Sequence, residues 1–255
     1  MTIAQLYEHL NLIYPFKNQD IWDRSGIISY VDIYKTEITK LTISLDINLS
    51  VLKYAIENNS NVIISHHPLY IDEKDLKDKN IKQMIQLIKD NNLSIISLHT
   101  NFDLDKYGMN YHLLKKIGCK NICRSNKDNY LFFGYLDNKE NKFENLIRKI
   151  KGKLGVEYIH YMNELDLTKK KKIKIGIVGG AGSSSSYSIL KKDKCDIFIS
   201  SEVKWHIWNY FNEIKNDFVI LDVPHSVEKI FIETIIKKIN NLPHQTYFPK
   251  LLKVA

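Results

Sequence analysis

The sequence predicts an α/β protein in which strands alternate with helices in two successive stretches of the chain. Short β-branched runs indicate the strands, and apolar residues three or four positions apart indicate the helices. The first stretch consists of a strand, helix, strand, helix and strand at 41–45, 49–58, 62–64, 75–91 and 93–98. The second has the same order at 173–178, 183–190, 196–200, 206–213 and 218–223.

This repeated order predicts mixed or parallel sheets with helices packed on them. Sheets of this kind bind ligands beyond the carboxyl ends of their strands, and polar clusters in this sequence follow several strands. We divide the chain into a first α/β lobe at 1–125, a small middle segment or arm at 126–165, and a second α/β lobe at 166–255. The middle segment is given no chemistry.

The composition is that of a folded protein with a sizeable core. The chain has 255 residues, of which 44% are hydrophobic. Residues 1–11 have neither a basic start nor an unbroken apolar run, so neither a signal peptide nor a membrane-spanning helix is indicated there. We therefore expect a cytoplasmic protein with no membrane partner. Cys119, Cys123 and Cys195 form no Cys-x-x-Cys pattern and are expected to be reduced.

The formal net charge of +8 would attract phosphates and nucleic acid. The lysines, however, are spread with isoleucine and asparagine over the whole chain, which is typical of a coding bias and not of a binding patch. The sequence contains no recognisable nucleic-acid-binding module. We therefore rank nucleic acid last among the candidate partners.

The strand at 62–64 leads into Ser65-His66-His67-Pro68. Adjacent histidines on extended backbone point to opposite sides, so they bind one metal ion together only if the turn rotates one of them. Otherwise His66 and His67 could serve two ions. A pair of turn histidines hydrogen-bonded to backbone is the alternative interpretation.

Asp103 follows the strand at 93–98 in the segment His99-Thr-Asn-Phe-Asp103. An isolated carboxylate near a sheet is costly to desolvate without a cation or hydrogen bonds, and a carboxylate is the natural bridge between two metal ions. The alternative is a capping or Asx-turn role for the segment that starts near Lys106.

His225 and Glu228 stand where the strand at 218–223 gives way to a helix. A spacing of three residues brings both side chains to one helical face, where one metal ion could accept both. The alternative is a capping arrangement in which Ser226 caps the helix and Glu228 favours its dipole.

Together, three strand ends supply imidazoles and carboxylates. This mixture suits zinc, iron, manganese or nickel without deciding among them. Two such ions close together could lower the pKa of a water molecule and stabilise the charge that develops as it attacks carbon or phosphorus. The predicted chemistry is hydrolysis.

A glycine-rich segment, Gly179-Gly-Ala-Gly-Ser183, is predicted to be a tight loop between a strand and a helix. Gly180, Gly182 and Ser183 could contact a phosphate or carboxylate of a substrate through backbone amides and hydroxyls. Close packing of strand on helix is the alternative. His99, Glu202 and His206 are further candidate pocket residues, although polar turn residues are usually only solvated.

Four segments, taken in this order, resemble the GTP cyclohydrolase 1 type 2 family, also called the NGG-interacting-factor-like family. They are Trp22-Asp-Arg-Ser-Gly26, Ile64-Ser-His-His-Pro-Leu69, His99-Thr-Asn-Phe-Asp103 and Gly179-Gly-Ala-Gly-Ser183. The resemblance covers nearly the full chain. It implies two similar, interlocked α/β lobes with mixed sheets flanked by helices, a dinuclear metal site between the lobes, and a homohexameric ring.

By motif match, the resemblance gives metal-ligand roles to His66, His67, Asp103, His225 and Glu228, with two divalent ions per chain. It implies a small, nucleotide-like substrate and a hydrolase that opens the guanine ring of GTP, with water attacking C8 and formate leaving. The chain departs from the family at Arg24, where asparagine is usual, and at Ser201-Glu202, where Gly-Asp is usual.

The third departure is the spacing of His225 and Glu228, which is three residues instead of four. It motivates an alternative function, a non-catalytic metal-binding ring that acts as a scaffold or regulator.

Overall fold

The computed structural model describes residues 1–182, 186–213, 218–239 and 244–246. Its contacts divide the chain into two units: Met1–Asp105 with the described residues from Phe231 onward, and Lys106–Ile230. The sequence places its boundaries at 125 and 165. The contacts group the chain differently because residues 244–246 pair with a strand of the first unit, and because 109–117 pack on a strand of the second.

The first unit is built on a mixed five-stranded sheet. Its helices are α1 (Ile3–Ile13), α2 (Leu49–Glu57), α3 (Lys79–Asp90), α4 (Thr100–Asp103) and most of α9 (Ile230–Lys238). Its strands are β1 (Gly26–Ser29), β2 (Leu41–Ser44), β3 (Val62–Ser65), β4 (Ser94–Ser97) and β10 (His244–Thr246). In the order β1-β4-β3-β2-β10, β1 is antiparallel to β4 and the other pairs are parallel.

Strands β2, β3 and β4 are buried along their whole length. Their continuous apolar runs are typical of parallel strands covered on both faces. The apolar sides of α2 and α3 pack on this sheet through residues such as Leu52, Ala55 and Ile88. The sequence predicts one helix over 75–91, but the structure has a 3-10 turn at Glu73–Lys77 followed by α3. Asp78 separates them because its carboxylate caps α3 by accepting from Asn80 N and Ile81 N.

The second unit has its own mixed five-stranded sheet. Its helices are α5 (Met109–Ile117), α6 (Phe143–Leu154), α7 (Ser186–Lys192) and α8 (Trp205–Glu213), with a 3-10 turn at His225–Lys229. Its strands are β5 (Lys120–Arg124), β6 (Phe132–Asp137), β7 (Lys172–Ala181), β8 (Ile197–Ser201) and β9 (Val219–Asp222). In sequence order across the sheet, β5, β6 and β7 pair antiparallel, whereas β7, β8 and β9 pair parallel.

Two parts of the second sheet differ from the sequence prediction. The middle segment supplies an integral strand, because β6 pairs with β7 from Phe132↔Ile177 to Asp137↔Lys172. The glycine-rich segment continues β7 as far as Ala181, where the sequence predicts a loop. A register shift between Ile177 and Ala181 lets the strand end pair with β8, and Gly180 absorbs the irregularity at φ +67°.

The predicted fold class, α/β with mixed sheets flanked by helices, is confirmed. Among the described residues, no helix has both the length and the apolar character needed to cross a membrane.

Candidate metal centre

The carboxyl ends of β2, β3 and β4 lie side by side in the first unit. The register pairs Ser44 with Ser65 and Ser65 with Ser97, so the residues that follow each strand become neighbours. These are Asp46 after β2, the two histidines after β3, and His99 after β4. Parallel pairing therefore gathers polar side chains that are far apart in the sequence.

Three imidazoles meet at this edge. Ligand atoms of His66, His67 and His99 all lie within 4.8 Å of one another. Their ring centroids are separated by 4.8 Å for the adjacent pair, and by 5.2 Å and 5.5 Å from His99 to His66 and His67. His66 is fully buried, and the other two are partly exposed. The structure thus brings together two predicted ligands and one predicted pocket residue.

The turn after β3 explains how neighbouring histidines come to face each other. The backbone amides of His66 and His67 both donate to the carbonyl oxygen of Leu45, at 3.1 and 2.9 Å. Two successive amides cannot point the same way in extended backbone, so the chain has left the strand conformation at this point. The turn therefore rotates one histidine so that both side chains lie on the same side, which the sequence alone does not determine.

Each of the three imidazoles is held through Nδ1 by an oxygen acceptor. The Nδ1 distances are 2.8 Å from His66 to Leu98 O, 2.7 Å from His67 to Asp46 Oδ1, and 2.8 Å from His99 to Asp23 Oδ1. Because a carbonyl or carboxylate oxygen only accepts, Nδ1 carries the proton in each ring, and a neutral ring then has its lone pair on Nε2. Histidines that bind metals through Nε2 are oriented in this way.

Asp103 lies beside His66, at the edge of the same histidine cluster. The one-turn helix α4 begins after His99, whose carbonyl accepts from Asp103 N at 3.0 Å. The turn brings Asp103 Oδ1 to 3.6 Å from His66 Nε2, and the carboxylate is only 15% exposed. Two ligands of one tetrahedral ion lie about 3.4 Å apart, given metal–ligand bonds of about 2.1 Å. The separation suits a shared cation better than a direct hydrogen bond.

Asp23 is one of two carboxylates at this site that sequence reasoning missed. Its buried carboxylate accepts five hydrogen bonds: Oδ1 from Arg24 N and His99 Nδ1, and Oδ2 from Ser25 Oγ, Thr100 N and Thr100 Oγ1. Burial opposes ionisation, but the hydrogen bonds from His99, Ser25 and Thr100 outweigh it and hold the pKa of Asp23 well below its usual range.

Asp46 was also missed, although its sequence position gives a signal. It follows the apolar strand β2 by two residues, as His67 follows β3 and His99 follows β4. Asp23 follows no strand, and only its place in the Trp22-Asp-Arg-Ser-Gly26 segment draws attention to it.

The second unit places the other predicted ligands together. His225 Nε2 lies 2.9 Å from Glu228 Oε2 within the 3-10 turn, and His225 Nδ1 lies 2.8 Å from Glu202 Oε1. Glu228 is buried, with 3% of its surface exposed. A buried carboxylate requires a proton, a cation or hydrogen-bond donors. His225 and Glu228 thus lie close together, as the sequence predicts, and Glu202 contacts the same histidine.

The remaining candidates lie in different settings. A Cβ on Gly180 would come 2.6 Å from Glu228 Oε1, so this glycine leaves room for the Glu228 carboxylate. The amide of Gly182 donates to Ser200 Oγ at 2.9 Å. His206 is exposed on α8. Ser183 lies outside the described residues. Substrate contacts by Gly180, Gly182 and Ser183 stay a prediction.

Gly180→Ala should destabilise the protein by about 1–3 kcal/mol, because the new methyl group meets Glu228 Oε1 and φ +67° disfavours alanine. Urea unfolding measures this cost. The matched control is Gly152→Ala in α6, where an added Cβ meets nothing within 4 Å. That change should stabilise the protein by about 0.5–1 kcal/mol, as helix propensity predicts. Equal effects at both positions would contradict the packing of Glu228 on Gly180.

Glu202 has a left-handed backbone, φ +55°, which is strained for a residue with a side chain. Glu202→Gly should relieve up to about 1 kcal/mol of strain while lowering metal affinity about 10- to 100-fold, since His225 loses its Nδ1 acceptor. Lys194 has φ +52° in the same unit and provides the control. Lys194→Gly should relieve similar strain without changing metal affinity, as measured by chelator competition. Unchanged affinity in Glu202→Gly would exclude a role in orienting His225.

The donor set of each unit fits a divalent cation. Imidazole nitrogens and carboxylate oxygens are ligands that zinc, iron, manganese and nickel accept. Oxygen acceptors at Nδ1 orient the imidazoles in both units. The described residues therefore include a histidine cluster that could hold a metal ion.

Two α/β units have mixed sheets, and imidazoles and carboxylates suited to metals follow their strands. The chain is therefore of the class of α/β proteins with a candidate metal-binding site. The match to the family model for Duf34/NIF3 (NGG1p interacting factor 3) covers residues 1–250. The chain belongs to this family.

Relatives agree with this assignment, and solved structures share the fold. A GTP cyclohydrolase 1 type 2 homolog from Ureaplasma parvum is 34% identical over 225 residues, which are 87% of this chain and 83% of the relative. One from Campylobacter jejuni is 33% identical over 252 residues, covering 96% and 95%. The crystal structure of the Staphylococcus aureus hypothetical protein SA1388 matches with a TM-score of 0.82 at 24% identity, over 97% of this chain and 96% of that one.

Reduced HcgD from Methanocaldococcus jannaschii matches with a TM-score of 0.80 at 23% identity, over 96% of this chain and 97% of that one. At such identities, the structural matches establish the shared fold alone.

Proposed function

We propose that this protein is a metal-dependent hydrolase of a small, nucleotide-like substrate, and that GTP is the first substrate to test. The observation that carries the proposal is the cluster of three imidazoles, each held at Nδ1 by an oxygen, so that the neutral rings of the proposed ligands His66 and His67 have their lone pairs on Nε2. The relatives from Ureaplasma parvum and Campylobacter jejuni are named as GTP cyclohydrolase 1 type 2 homologs, which supports the choice of GTP.

The proposed ligands are those that the family resemblance gives. His66, His67 and Asp103 come from the first unit, and His225 and Glu228 from the second. We propose that together they hold two divalent ions per chain. Bound divalent ions supply Lewis acidity, which lowers the pKa of a water molecule and stabilises developing negative charge.

The chain's own residues have distinct tasks in this proposal. Asp46 and the carbonyl of Leu98 keep the protons of His67 and His66 on Nδ1, so that both rings act as neutral Nε2 ligands. Asp23 does the same for His99, the third imidazole of the cluster. Asp103, beside His66, supplies the anionic oxygen that favours cation binding. These fixed side chains reduce the reorganisation needed during the reaction.

The proposed reaction hydrolyses both C8–N bonds in the five-membered ring of guanine: one water molecule opens the ring to a formamide, and a second releases C8 as formate and leaves an amine on the pyrimidine ring. Incubation of the metal-loaded full chain with GTP, followed by enzymatic measurement of formate, tests it. Asp103→Asn preserves side-chain volume but removes the negative charge, and should lower the rate at least about 100-fold. The matched control, Asp90→Asn at the exposed end of α3, should turn over GTP at the unchanged rate.

Formate release that survives Asp103→Asn would refute the role of Asp103. Full metal content with no hydrolysis of GTP or other nucleotides would refute the enzyme and favour a non-catalytic metal-binding scaffold or regulator. We also propose a hexameric ring, as the family resemblance implies, and the mass of the native assembly tests it.

A further inference from the structure

An exposed tryptophan stands beside the histidine cluster of the first unit. Trp22 is 53% exposed, and its ring meets the His99 ring edge to face, with centroids 5.8 Å apart and planes at 80°. Such a contact covers at most one face of the indole. Single exposed aromatic side chains are common on protein surfaces, so it is the position of this indole beside the polar histidine cluster that indicates a binding role.

The backbone that carries Trp22 is fixed on one side by α4. Asp20 N donates to Thr100 Oγ1 at 3.0 Å, and Asp23 N donates to Asp20 O at 3.0 Å. The buried carboxylate of Asp23, next in the chain, binds Thr100 and His99. The residues on both sides of Trp22 are therefore anchored.

The same segment is tied to the chain beyond the two adjacent histidines. Arg24 donates to Ile71 O at 3.3 Å and pairs with Glu73 at 3.2 Å. Because these bonds hold the segment from a second side, the indole is presented on a prearranged support. A prearranged surface loses little conformational entropy when a ligand covers it.

We propose that Trp22 is the surface on which the planar ring of a nucleotide-like substrate stacks. This inference rests on the proposed function and assigns the residue that contacts the base of the nucleotide-like substrate. The indole offers an open π-surface adjacent to the imidazole of His99. Aromatic stacking is largely indifferent to the identity of the base, so Trp22 contributes affinity for the ring and not selection of guanine over adenine.

The apolar neighbour Ile21 is also exposed, at 108%. Ile21 and Trp22 together would suit contact with a second copy of the chain. A nucleobase and a second copy of the chain predict different effects of a Trp22 variant. A stacking surface affects only ligands that contain a base, whereas a subunit contact affects the mass of the assembly.

The test compares GMP with ribose 5-phosphate, which lacks the base but keeps the sugar phosphate. Calorimetric titration of the full-length, metal-loaded protein gives the two affinities. The wild type should prefer GMP by roughly 10-fold or more, and Trp22→Leu should abolish that preference while leaving the affinity for ribose 5-phosphate unchanged. Trp22→Phe, which keeps an aromatic face, should retain part of it. Tyr34→Leu, at a 72% exposed aromatic of the same unit, should retain all of it.

Several outcomes would overturn the inference: no preference for GMP in the wild type, a preference that survives Trp22→Leu, equal loss for both ligands, or a lower assembly mass in Trp22→Leu. Formate release from GTP is measured separately. Turnover without a Trp22-dependent preference refutes the stacking role and leaves the hydrolase standing. A Trp22-dependent preference for GMP without turnover of GTP refutes the hydrolase and leaves the stacking role standing.

Discussion

His66→Ala should abolish high-affinity metal binding. The His66 ring is fully buried and contacts the other two imidazoles and the rings of Phe102 and Phe231. Its removal takes away one nitrogen ligand and leaves a cavity at the centre of the site. We expect a loss of more than about 100-fold in metal affinity and about 2–5 kcal/mol in the free energy of unfolding. Elemental analysis and urea unfolding measure the two effects.

Two further variants separate ligation from stability. The side chain of His67 is 24% exposed, so His67→Ala should lose metal affinity as severely while costing less stability. His9→Ala, at an exposed position on α1, should change neither quantity. Normal metal content in both His66→Ala and His67→Ala would exclude these two side chains as ligands.

Asp23→Asn should cost about 2–4 kcal/mol of unfolding free energy, although it alters no volume. The carboxylate accepts five hydrogen bonds, and an amide group in its place turns a donor toward some of those donors. His99 also loses the acceptor that orients its ring, which contributes to this cost. Asp32→Asn, at an exposed turn, should cost less than about 0.5 kcal/mol.

The lowered pKa of Asp23 predicts that the free energy of unfolding depends on pH. Its folded-state pKa lies below the unfolded value, so the unfolded chain binds the extra proton first as the pH falls. The stability that Asp23 contributes is therefore fully present above the unfolded value of about 3.9 and is lost as the pH falls toward the lowered folded value. The stability difference between wild type and Asp23→Asn should shrink below about pH 4. A constant difference would contradict an ionised Asp23.

Most elements could be predicted from local patterns. The buried strands β2, β3 and β4 are apolar and β-branched, and α2 begins after Asn48, whose side chain accepts from Val51 N. Sequence patterns failed where the conformation of a segment depends on the strand with which it pairs. The glycine-rich segment continues β7 because β8 pairs with it after a register shift, and no local signal distinguishes this from a loop.

The sequence by itself determined which residues end the strands, and so which imidazoles and carboxylates can gather at one sheet edge. Alternation of strands and helices dictates this, since parallel neighbours bring their carboxyl ends together. Tertiary structure decided the rest. The rotation of His67 depends on hydrogen bonds to Leu45, and the anchoring of His99 depends on Asp23, 76 positions away. Sequence patterns encode preferences of near neighbours, whereas side-chain orientation is fixed by hydrogen bonds that form only once distant segments meet.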